Sequence, residues 1–167
     1  MDAGWLSNSS AYYYGLDMTA IDFNPDVIEK AKETSKILSV NVKFQCADLF
    51  KFSCEPKDIV ISVGVLHHTS DCLGGVRRCI ELTRNGGVFI GLYHKYARKP
   101  FLDYFKTLKE ENSDEDFLFK KYRELDGRHA DETQAKSWFM DQVLHPYETQ
   151  HTLEEIAGIF GSMVFPY

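Results

Sequence analysis

The sequence predicts an α/β fold in which a mostly parallel sheet carries helices on both faces. Two nearly continuous apolar segments, residues 58–64 and 88–93, have the composition of strands that are buried on both sides. A helix-compatible segment separates them, and a crossover helix joins strands that run parallel. A third segment, residues 40–46, alternates apolar and polar residues, which is typical of a half-exposed strand near a sheet edge.

The chain before that edge strand is predicted to form a helix, a strand and a second helix. Residues 6–14 form the first helix, which Gly15 ends in a left-handed cap. Residues 18–21 form a short strand that stops at Asp22. Asn24 is the predicted N-cap of the second helix, and a proline follows it at the first helical position. The apolar stripe of that helix consists of Val27, Ile28, Ala31 and Leu38.

A third helix is predicted over residues 72–83, with Leu73, Val76 and Ile80 facing inward. The dipeptides of Asn85-Gly86-Gly87 mark the break that ends it. Since the helix lies between the two apolar strands, it is the expected crossover connection.

The segment after residue 96 has a different composition, being charged, aromatic and compatible with helices. An acidic stretch at residues 110–116 predicts a solvated turn within it. Residues 152–155, TLEE, form a capping box that opens a helix ending at Gly161. Residues 163–165 are expected to begin another strand. The aromatic residues of the segment are expected to pack it rather than to bind an aromatic substrate: Phe101, Tyr104, Phe105, Phe117, Phe119 and Tyr122.

Length and composition exclude several classes of protein. The 167 residues favour one domain, and 44% hydrophobic content is sufficient for a core. A net charge of -6 without a basic run argues against nucleic-acid or membrane binding through charge. None of the four cysteines forms a C-x-x-C pair, so a cytoplasmic location without disulfides or a zinc knuckle is expected.

Acidic residues follow two neighbouring predicted strands, where open parallel sheets bind ligands. Asp22 can accept both hydroxyls of a ribose, and its structural alternative is an acid that flanks the next helix. Asp48 can accept from an adenine amino group while Leu49 offers an apolar face. The structural alternative for Asp48 is a turn.

Gly64, His67 and His68 follow the first buried strand. A glycine there lets a ligand approach the backbone. The two histidines can do acid–base chemistry or bind metal, but neighbours after a strand point in different directions, so no metal site is predicted. The structural alternative is a histidine packed at the cleft, for His67, and one that hydrogen-bonds a loop, for His68.

Four stretches resemble class I S-adenosylmethionine-dependent methyltransferases of the type 11/12 kind: AIDFNPDVIEKAK, CADLF, DIVISVGVLHHTSD and LTRNGGVFIGLY. They occur in the order and at the spacing of that family over residues 18–93. The resemblance implies a Rossmann-like fold, S-adenosylmethionine as cofactor and a small-molecule methyl acceptor. It places Asp22 at the ribose, Asp48 and Leu49 at adenine, and the backbone of Val63 and Gly64 at the methionine part. Phe23, beside Asp22, is a further expected cofactor-binding residue.

Two alternatives remain open. A dehydrogenase that binds NAD also has an acid after its second strand, although the VLHH and NGG stretches favour the methyltransferase. A catalytically inactive methyltransferase-like module is the other alternative, because the family's first strand ends in a turn such as DAGCGTG. This chain has Asp2-Ala3-Gly4 followed at once by WLSNSS.

The missing glycine turn leaves Asp2 and Gly4 as the remaining cofactor-binding residues of that strand end. We expect a domain that is incomplete at both ends, with residues 1–96 as the cofactor-binding core, 97–137 as a helical insert or lid, and 138–167 as a C-terminal segment. An oligomer or a partner chain that completes the sheet is a further expectation.

Candidates for acid–base chemistry at the acceptor are His67, Tyr93, His94 and His145. Tyr93 and His94 follow the last apolar strand. His145 belongs to the pattern Asp141, His145, Glu148, His151, whose spacing suits one helix face, although Pro146 argues against a continuous helix. The structural alternative is that these residues hold the insert to the core.

Overall fold

The computed structural model describes residues 4–127 and 131–164. Its strands form two parallel pairs, β1 with β2 and β3 with β4, which confirms the predicted α/β class. The helices are α1 Trp5–Tyr14, α2 Pro25–Ile37, α3 Cys72–Glu81, α4 Lys95–Glu111, α5 Glu115–Leu125, α6 Glu132–Phe139 and α7 Leu153–Val164. The strands are β1 Met18–Asp22, β2 Val42–Cys46, β3 Lys57–Val63 and β4 Thr83–Gly91. A 3-10 turn at Leu66–His68 and a π-helical turn at Met140–Leu144 complete the list.

The chain divides after Glu55 into two compact units, which we call the first unit and the second unit. The first unit contains α1, α2 and the pair β1–β2, in register from Met18 opposite Val42 to Asp22 opposite Cys46. The division of the chain into a core, an insert and a C-terminal segment stays a prediction, as does an oligomer or partner chain that completes the sheet.

Local signals in the first unit are confirmed. Gly15 ends α1 in the left-handed region, with φ of 63°. The side chain of Asn24 accepts a hydrogen bond from the amide of Asp26, and a proline occupies the first turn of α2. Ile28 and Ala31 of the predicted stripe are buried, whereas Val27 and Leu38 are half-buried.

Gly4 has a structural reason to be glycine. It precedes α1 with φ of 71°, and a Cβ atom there would lie 2.8 Å from the Cβ of Ala31. Beside it, Asn8 Nδ2 donates to the carbonyl of Ala31 at 3.1 Å. The close approach of α1 to α2 therefore leaves no room for a side chain at this position.

The predicted break at Asn85-Gly86-Gly87 is wrong, because these residues lie within β4. The helix α3 ends earlier, at Glu81, with Leu82 as its C-cap. The pairing of β3 with β4 shifts register between Lys57 and Ile59, and a Cβ atom on Gly86 would lie 1.5 Å from the Asp58 carbonyl oxygen. Glycine is needed there for a strand irregularity rather than for a turn.

The expectation that β3 and β4 are covered on both faces is also wrong. Ile59, Ile61 and Val63 alternate along one face of β3 and are exposed, as is Phe89 opposite Ile61. Helix α3 packs on the same sheet through its buried face of Cys72, Val76 and Cys79, while the predicted Leu73 and Ile80 are only half-buried. A continuous apolar run makes a strand suitable for burial on both faces, but burial also requires a packing element on each face.

The predicted helical character of the segment after residue 96 is confirmed by α4, α5 and α6, and its aromatic residues pack it. The core of this part consists of Phe105, Leu108, Leu118, Tyr122, Phe139 and Val143, with Phe101, Phe117 and Phe119 against it. Tyr104 is the exception, since it is exposed. The role of the insert as a lid stays a prediction.

The capping box at the start of α7 is confirmed. The amide of Thr152 donates to Glu155 Oε2 at 2.8 Å, and the amide of Glu155 donates to Thr152 Oγ1 at 3.2 Å. The helix does not end at Gly161 as predicted but continues to Val164, so Met163 and Val164 begin no strand. Phe165 lies outside the described residues.

In the described part of the chain, no helix has the length and apolar character needed to cross a membrane.

Candidate functional site

The two candidate acids of the first unit lie at the same end of its sheet. Asp22 ends β1, and its carbonyl accepts from the amide of Ala47 at 2.9 Å, one residue before Asp48. Asp22 Oδ1 accepts from the amide of Asn24 at 2.8 Å, and Asp48 Oδ1 accepts from the amide of Phe50 at 3.0 Å. Each carboxylate thus uses one oxygen to shape its own turn. Among the described residues, no donor forms a hydrogen bond with Asp22 Oδ2.

Apolar surface adjoins these acids. Phe23 follows Asp22 and is 80% exposed, and Leu49 beside Asp48 is half-buried. A half-buried carboxylate, Asp22, and an exposed one, Asp48, lie next to an exposed ring and a leucine. This set fits a nucleoside, which needs acceptors for its ribose and amino groups and an apolar contact for its base. Asp2 lies outside the described residues, and Gly4 serves the packing of α1 against α2.

The end of β3 in the second unit is open. Gly64 has φ of 71°, and no atom of the described residues, apart from its chain neighbours, lies within 4 Å of the position that a Cβ would take. Its amide donates to the carbonyl of Gly91 at 3.0 Å, so the backbone is held by β4 while its other side is free. The preceding Val63 is exposed. A ligand can therefore approach the main chain here.

His67 is buried immediately after β3, with 1% of its surface exposed. Its ring lies against the rings of His68 and Tyr93, with centroid distances of 4.2 and 4.3 Å. Neither ring nitrogen has a hydrogen-bond partner among the described residues. Burial, reinforced by the neighbouring His68, lowers the pKa of His67 to about 4, so this imidazole is neutral at pH 7.

His68 and His145 fix the stretch of residues 145–152 between the π-helical turn and α7, which we call the tail. Both Nδ1 atoms lie within hydrogen-bond distance of the carbonyl oxygen of Tyr147, at 2.9 Å for His68 and 2.6 Å for His145. The two rings stack with centroids 3.7 Å apart. The geometry therefore favours the structural alternative for both residues.

The tail crosses the carboxyl ends of β3 and β4. The amide of Thr149 donates to the carbonyl of His67 at 2.8 Å, and the amide of His151 donates to that of Tyr93 at 3.3 Å. The amide of Lys95 returns a hydrogen bond to the carbonyl of His151 at 3.0 Å. This stretch is extended rather than helical, as Pro146 predicts.

A buried ion pair that the sequence does not reveal joins the tail to α4. Arg98 and Glu148 are 7% and 8% exposed in their side chains, and two hydrogen bonds of 2.9 and 2.8 Å join them. Burial by itself raises the pKa of Glu148, but the hydrogen bonds and the charge of Arg98 outweigh it and hold this pKa below its usual value. Fifty residues separate the partners. Glu148 belongs to the pattern noted in the sequence, and its contact with α4 fits the structural alternative given there, but no local pattern marks Arg98 as its partner.

The guanidinium of Arg98 also organises its surroundings. It donates to Gln142 Oε1 at 3.0 Å and to the Gln142 carbonyl at 2.6 Å. It lies over the rings of Tyr93 and Phe101, 4.5 and 4.6 Å from their centroids. Gln142 in turn donates from Nε2 to the hydroxyl of Tyr93. Three elements, the end of β4, α4 and the π-helical turn, are thereby fixed to one another.

A cavity of about 480 Å³ adjoins this cluster, which is within the range of small-molecule sites. Tyr93 and His94 line it from the end of β4, and His94 is the N-cap residue of α4 with no side-chain cap bond. The remaining lining residues are Ala97, Arg98, Phe101, Tyr122, Leu125, Asp126, Gly127 and Gln142. Within residues 4–127 and 131–164, no three His, Cys, Asp or Glu side chains are gathered to hold a metal ion.

The structure thus brings Tyr93 and His94 together at one cavity and places His67 behind Tyr93. His145 lies in the stack with His68 and does not line the cavity. Asp22 and Asp48 share one strand end in the first unit, and Val63 and Gly64 lie at the end of β3 in the second unit.

Comparison with known proteins gives a consistent result. The sequence profile of a family described as "Methyltransferase domain" matches residues 6–156. Among solved structures, PKMT2 from Rickettsia typhi is 14% identical with a TM-score of 0.72, over 94% of this chain and 36% of that one. YcgJ from Bacillus subtilis is 18% identical with a TM-score of 0.60, over 96% and 56%.

The plantazolicin methyltransferase BpumL, solved with SAH and a triazolic desmethylPZN analogue, is 15% identical with a TM-score of 0.59. The match covers 98% of this chain and 52% of BpumL. The chain therefore spans between about a third and just over half of the length of these structures, and at such identities the likeness concerns the fold. No curated protein matches the chain in sequence.

Proposed function

From the premise that this chain belongs to the methyltransferase-domain family, we propose that it takes part in S-adenosylmethionine-dependent methyl transfer to a small molecule. The observation that carries the proposal is the placement of Asp22 and Asp48 at one end of β1–β2, inside the region that the family profile matches. The crystallisation of BpumL with SAH supports the choice of cofactor. We also propose a cytoplasmic location, which four free cysteines suit.

The first unit has the groups that a nucleoside requires. Asp22 keeps Oδ2 available for the ribose hydroxyls while Oδ1 holds the turn. Asp48 faces the adenine amino group, and Leu49 and the exposed ring of Phe23 supply apolar contact with the base. The assignment of Val63 and Gly64 to the methionine part stays an expectation from the family resemblance. Within the second unit their backbone is open to a ligand, because the space beside Gly64 holds no side chain.

S-adenosylmethionine supplies an activated methyl group on its sulfonium, so positioning and exclusion of water carry much of the catalysis. The residues that line the cavity orient the methyl acceptor. His67 is neutral at pH 7 but is buried and does not line the cavity, so no proton transfer from the acceptor is assigned to it.

Calorimetric titration of the full chain with S-adenosylhomocysteine tests the proposal. We expect micromolar binding that Asp22→Ala abolishes. Asp17→Ala is the matched control, because Asp17 is an exposed acid of the same unit that pairs with Lys43 before β1 begins. Unchanged binding in Asp22→Ala, or no binding by the unaltered chain, contradicts the proposed site and favours an inactive module.

The same titration separates the dehydrogenase alternative. An adenosine ribose bound by Asp22 is common to both cofactors, so competition by NAD is the informative measurement. We expect no displacement of S-adenosylhomocysteine by millimolar NAD. Displacement would favour the oxidoreductase.

A further inference from the structure

The orientation of the Gln142 amide is fixed by Arg98. A guanidinium can only donate hydrogen bonds, so the oxygen Oε1 of Gln142 must face Nη1 of Arg98, 3.0 Å away. The nitrogen Nε2 must then face the other way, where it meets the hydroxyl of Tyr93 and, at 3.4 Å, Oδ2 of Asp141. Both of these partners are oxygen atoms that can accept, so the assignment is consistent throughout.

This orientation determines what the hydroxyl of Tyr93 can do. Because its oxygen accepts from Gln142, its own proton is left to be donated to another group. Among the described residues, no acceptor forms a hydrogen bond with that proton, and Tyr93 lines the cavity. Burial and the nearby Asp141 raise the pKa of Tyr93, so the proton stays on the hydroxyl at neutral pH. Tyr93 is therefore a donor and not the general base that its sequence position allowed.

We propose that the cavity binds a molecule with an apolar, ring-containing body whose carbonyl oxygen or unprotonated ring nitrogen accepts a hydrogen bond from Tyr93. Phe101, Tyr122, Ala97 and Leu125 provide the apolar walls for that body. The identification of this molecule as the methyl acceptor rests on the proposed methyl transfer. The direction of donation, from Arg98 to Gln142 and from Gln142 to Tyr93, does not depend on that proposal.

Two probes of the same shape test whether Tyr93 donates a hydrogen bond to a molecule in the cavity. 4-Fluoroacetophenone carries a carbonyl oxygen where 4-fluoro-α-methylstyrene carries a methylene group, so the two differ in the ability to accept a hydrogen bond. Titration of the full chain by fluorine NMR gives the affinity for each. We expect the ketone to bind about 3- to 10-fold more tightly, the ratio that one hydrogen bond supplies.

Two variants remove the donor in different ways. Tyr93→Phe deletes the hydroxyl. Gln142→Glu keeps Tyr93 but reverses the direction of its hydrogen bond. A carboxylate accepts from Arg98 with one oxygen and from the Tyr93 hydroxyl with the other, so the hydroxyl no longer donates into the cavity. We expect both variants to bind the ketone and the alkene alike, whereas Tyr104→Phe, an exposed tyrosine outside the cavity, keeps the preference.

The proposal is overturned if the unaltered chain binds the two probes equally, if it binds neither up to their solubility, or if Tyr93→Phe keeps the preference. Titration with S-adenosylhomocysteine on the same samples keeps the two proposals apart. Cofactor binding without ketone preference rejects the inference alone, and ketone preference without cofactor binding rejects the proposed function alone.

Discussion

The two units of this chain hold their candidate residues in opposite ways. In the first unit, Asp22 and Asp48 lie on short turns after strands, and each side chain accepts a hydrogen bond from the amide two residues further along the chain. In the second unit, Arg98 and Glu148 are buried, fifty residues apart, and joined to one another. His67 is buried as well, with a ring nitrogen that no described residue engages.

This difference predicts how strongly a substitution at a candidate functional residue affects folding in each unit. An exposed acid that shapes one turn can be altered with little effect on folding, because solvent replaces the contacts it loses. A buried charge that fixes three elements cannot be altered without leaving its partner uncompensated. The chain has two tryptophans, Trp5 in the first unit and Trp138 in the second, so Trp5→Phe and Trp138→Phe backgrounds report the unfolding of each unit separately.

The largest expected effect is that of Arg98→Met. It leaves the carboxylate of Glu148 buried without its cation, and removal of one partner of a buried pair costs about 3–5 kcal/mol. Urea unfolding in the Trp5→Phe background, followed by the fluorescence of Trp138, measures the loss. The control is Lys99→Met, since Lys99 pairs with Asp103 at the surface and such pairs contribute about 1 kcal/mol or less.

A loss below about 1 kcal/mol in Arg98→Met would contradict the contrast between the units, because the second unit would then tolerate substitution as the first is expected to. The double variant Arg98→Met/Glu148→Leu tests the cause of the loss. Replacing both charges by apolar groups removes the uncompensated carboxylate, so part of the stability should return.

The second effect is a pH dependence from His67. Its folded pKa of about 4 lies below the ordinary 6.5, so the unfolded chain binds the proton more readily between these values. Stability conferred by the neutral ring is therefore complete above pH 6.5 and falls as the pH is lowered towards 4, by about 3 kcal/mol in all.

Urea unfolding between pH 4 and 7, followed by Trp138, measures this slope. His67→Phe keeps a ring but cannot titrate, so we expect its slope to be smaller. The control His94→Phe changes an exposed histidine of the same unit and should keep the slope. Equal slopes in all three proteins would show that His67 is not the group responsible.

The contrast between the units also explains what the sequence could reveal. The cap at Asn24 and the capping box of Thr152 and Glu155 were predictable, because each is encoded within four residues. The pair of Arg98 and Glu148 was not, since it depends on how the tail crosses the sheet and no periodicity reports that. The placement of Gly86 inside β4 was missed for a related reason, because a glycine that admits a close strand neighbour has the same local pattern as one in a turn.

The third effect belongs to the first unit and is smaller. Asn24→Ala removes the side-chain oxygen that accepts from the amide of Asp26, and the loss of an N-cap costs about 1 kcal/mol. Trp5 fluorescence in the Trp138→Phe background measures it. Asn41→Ala, at an exposed position between α2 and β2, is the matched control and should change stability by less than about 0.5 kcal/mol. A larger loss in the control would mean that turns in this unit are more tightly coupled than their exposure indicates.

The smallest effect on stability is expected for Asp48→Asn, and it is the most informative about function. The amide oxygen of asparagine can still accept from the amide of Phe50, and the contact of Asp48 with Lys51 is a long surface pair of 3.8 Å. Unfolding followed by Trp5 should therefore change by less than about 0.5 kcal/mol. The affinity for S-adenosylhomocysteine should nevertheless fall about 3- to 10-fold, because a neutral oxygen is a weaker acceptor for an amino group than a carboxylate. If stability and affinity fell together, Asp48 would be a structural residue, and the separation of binding from folding in the first unit would be wrong.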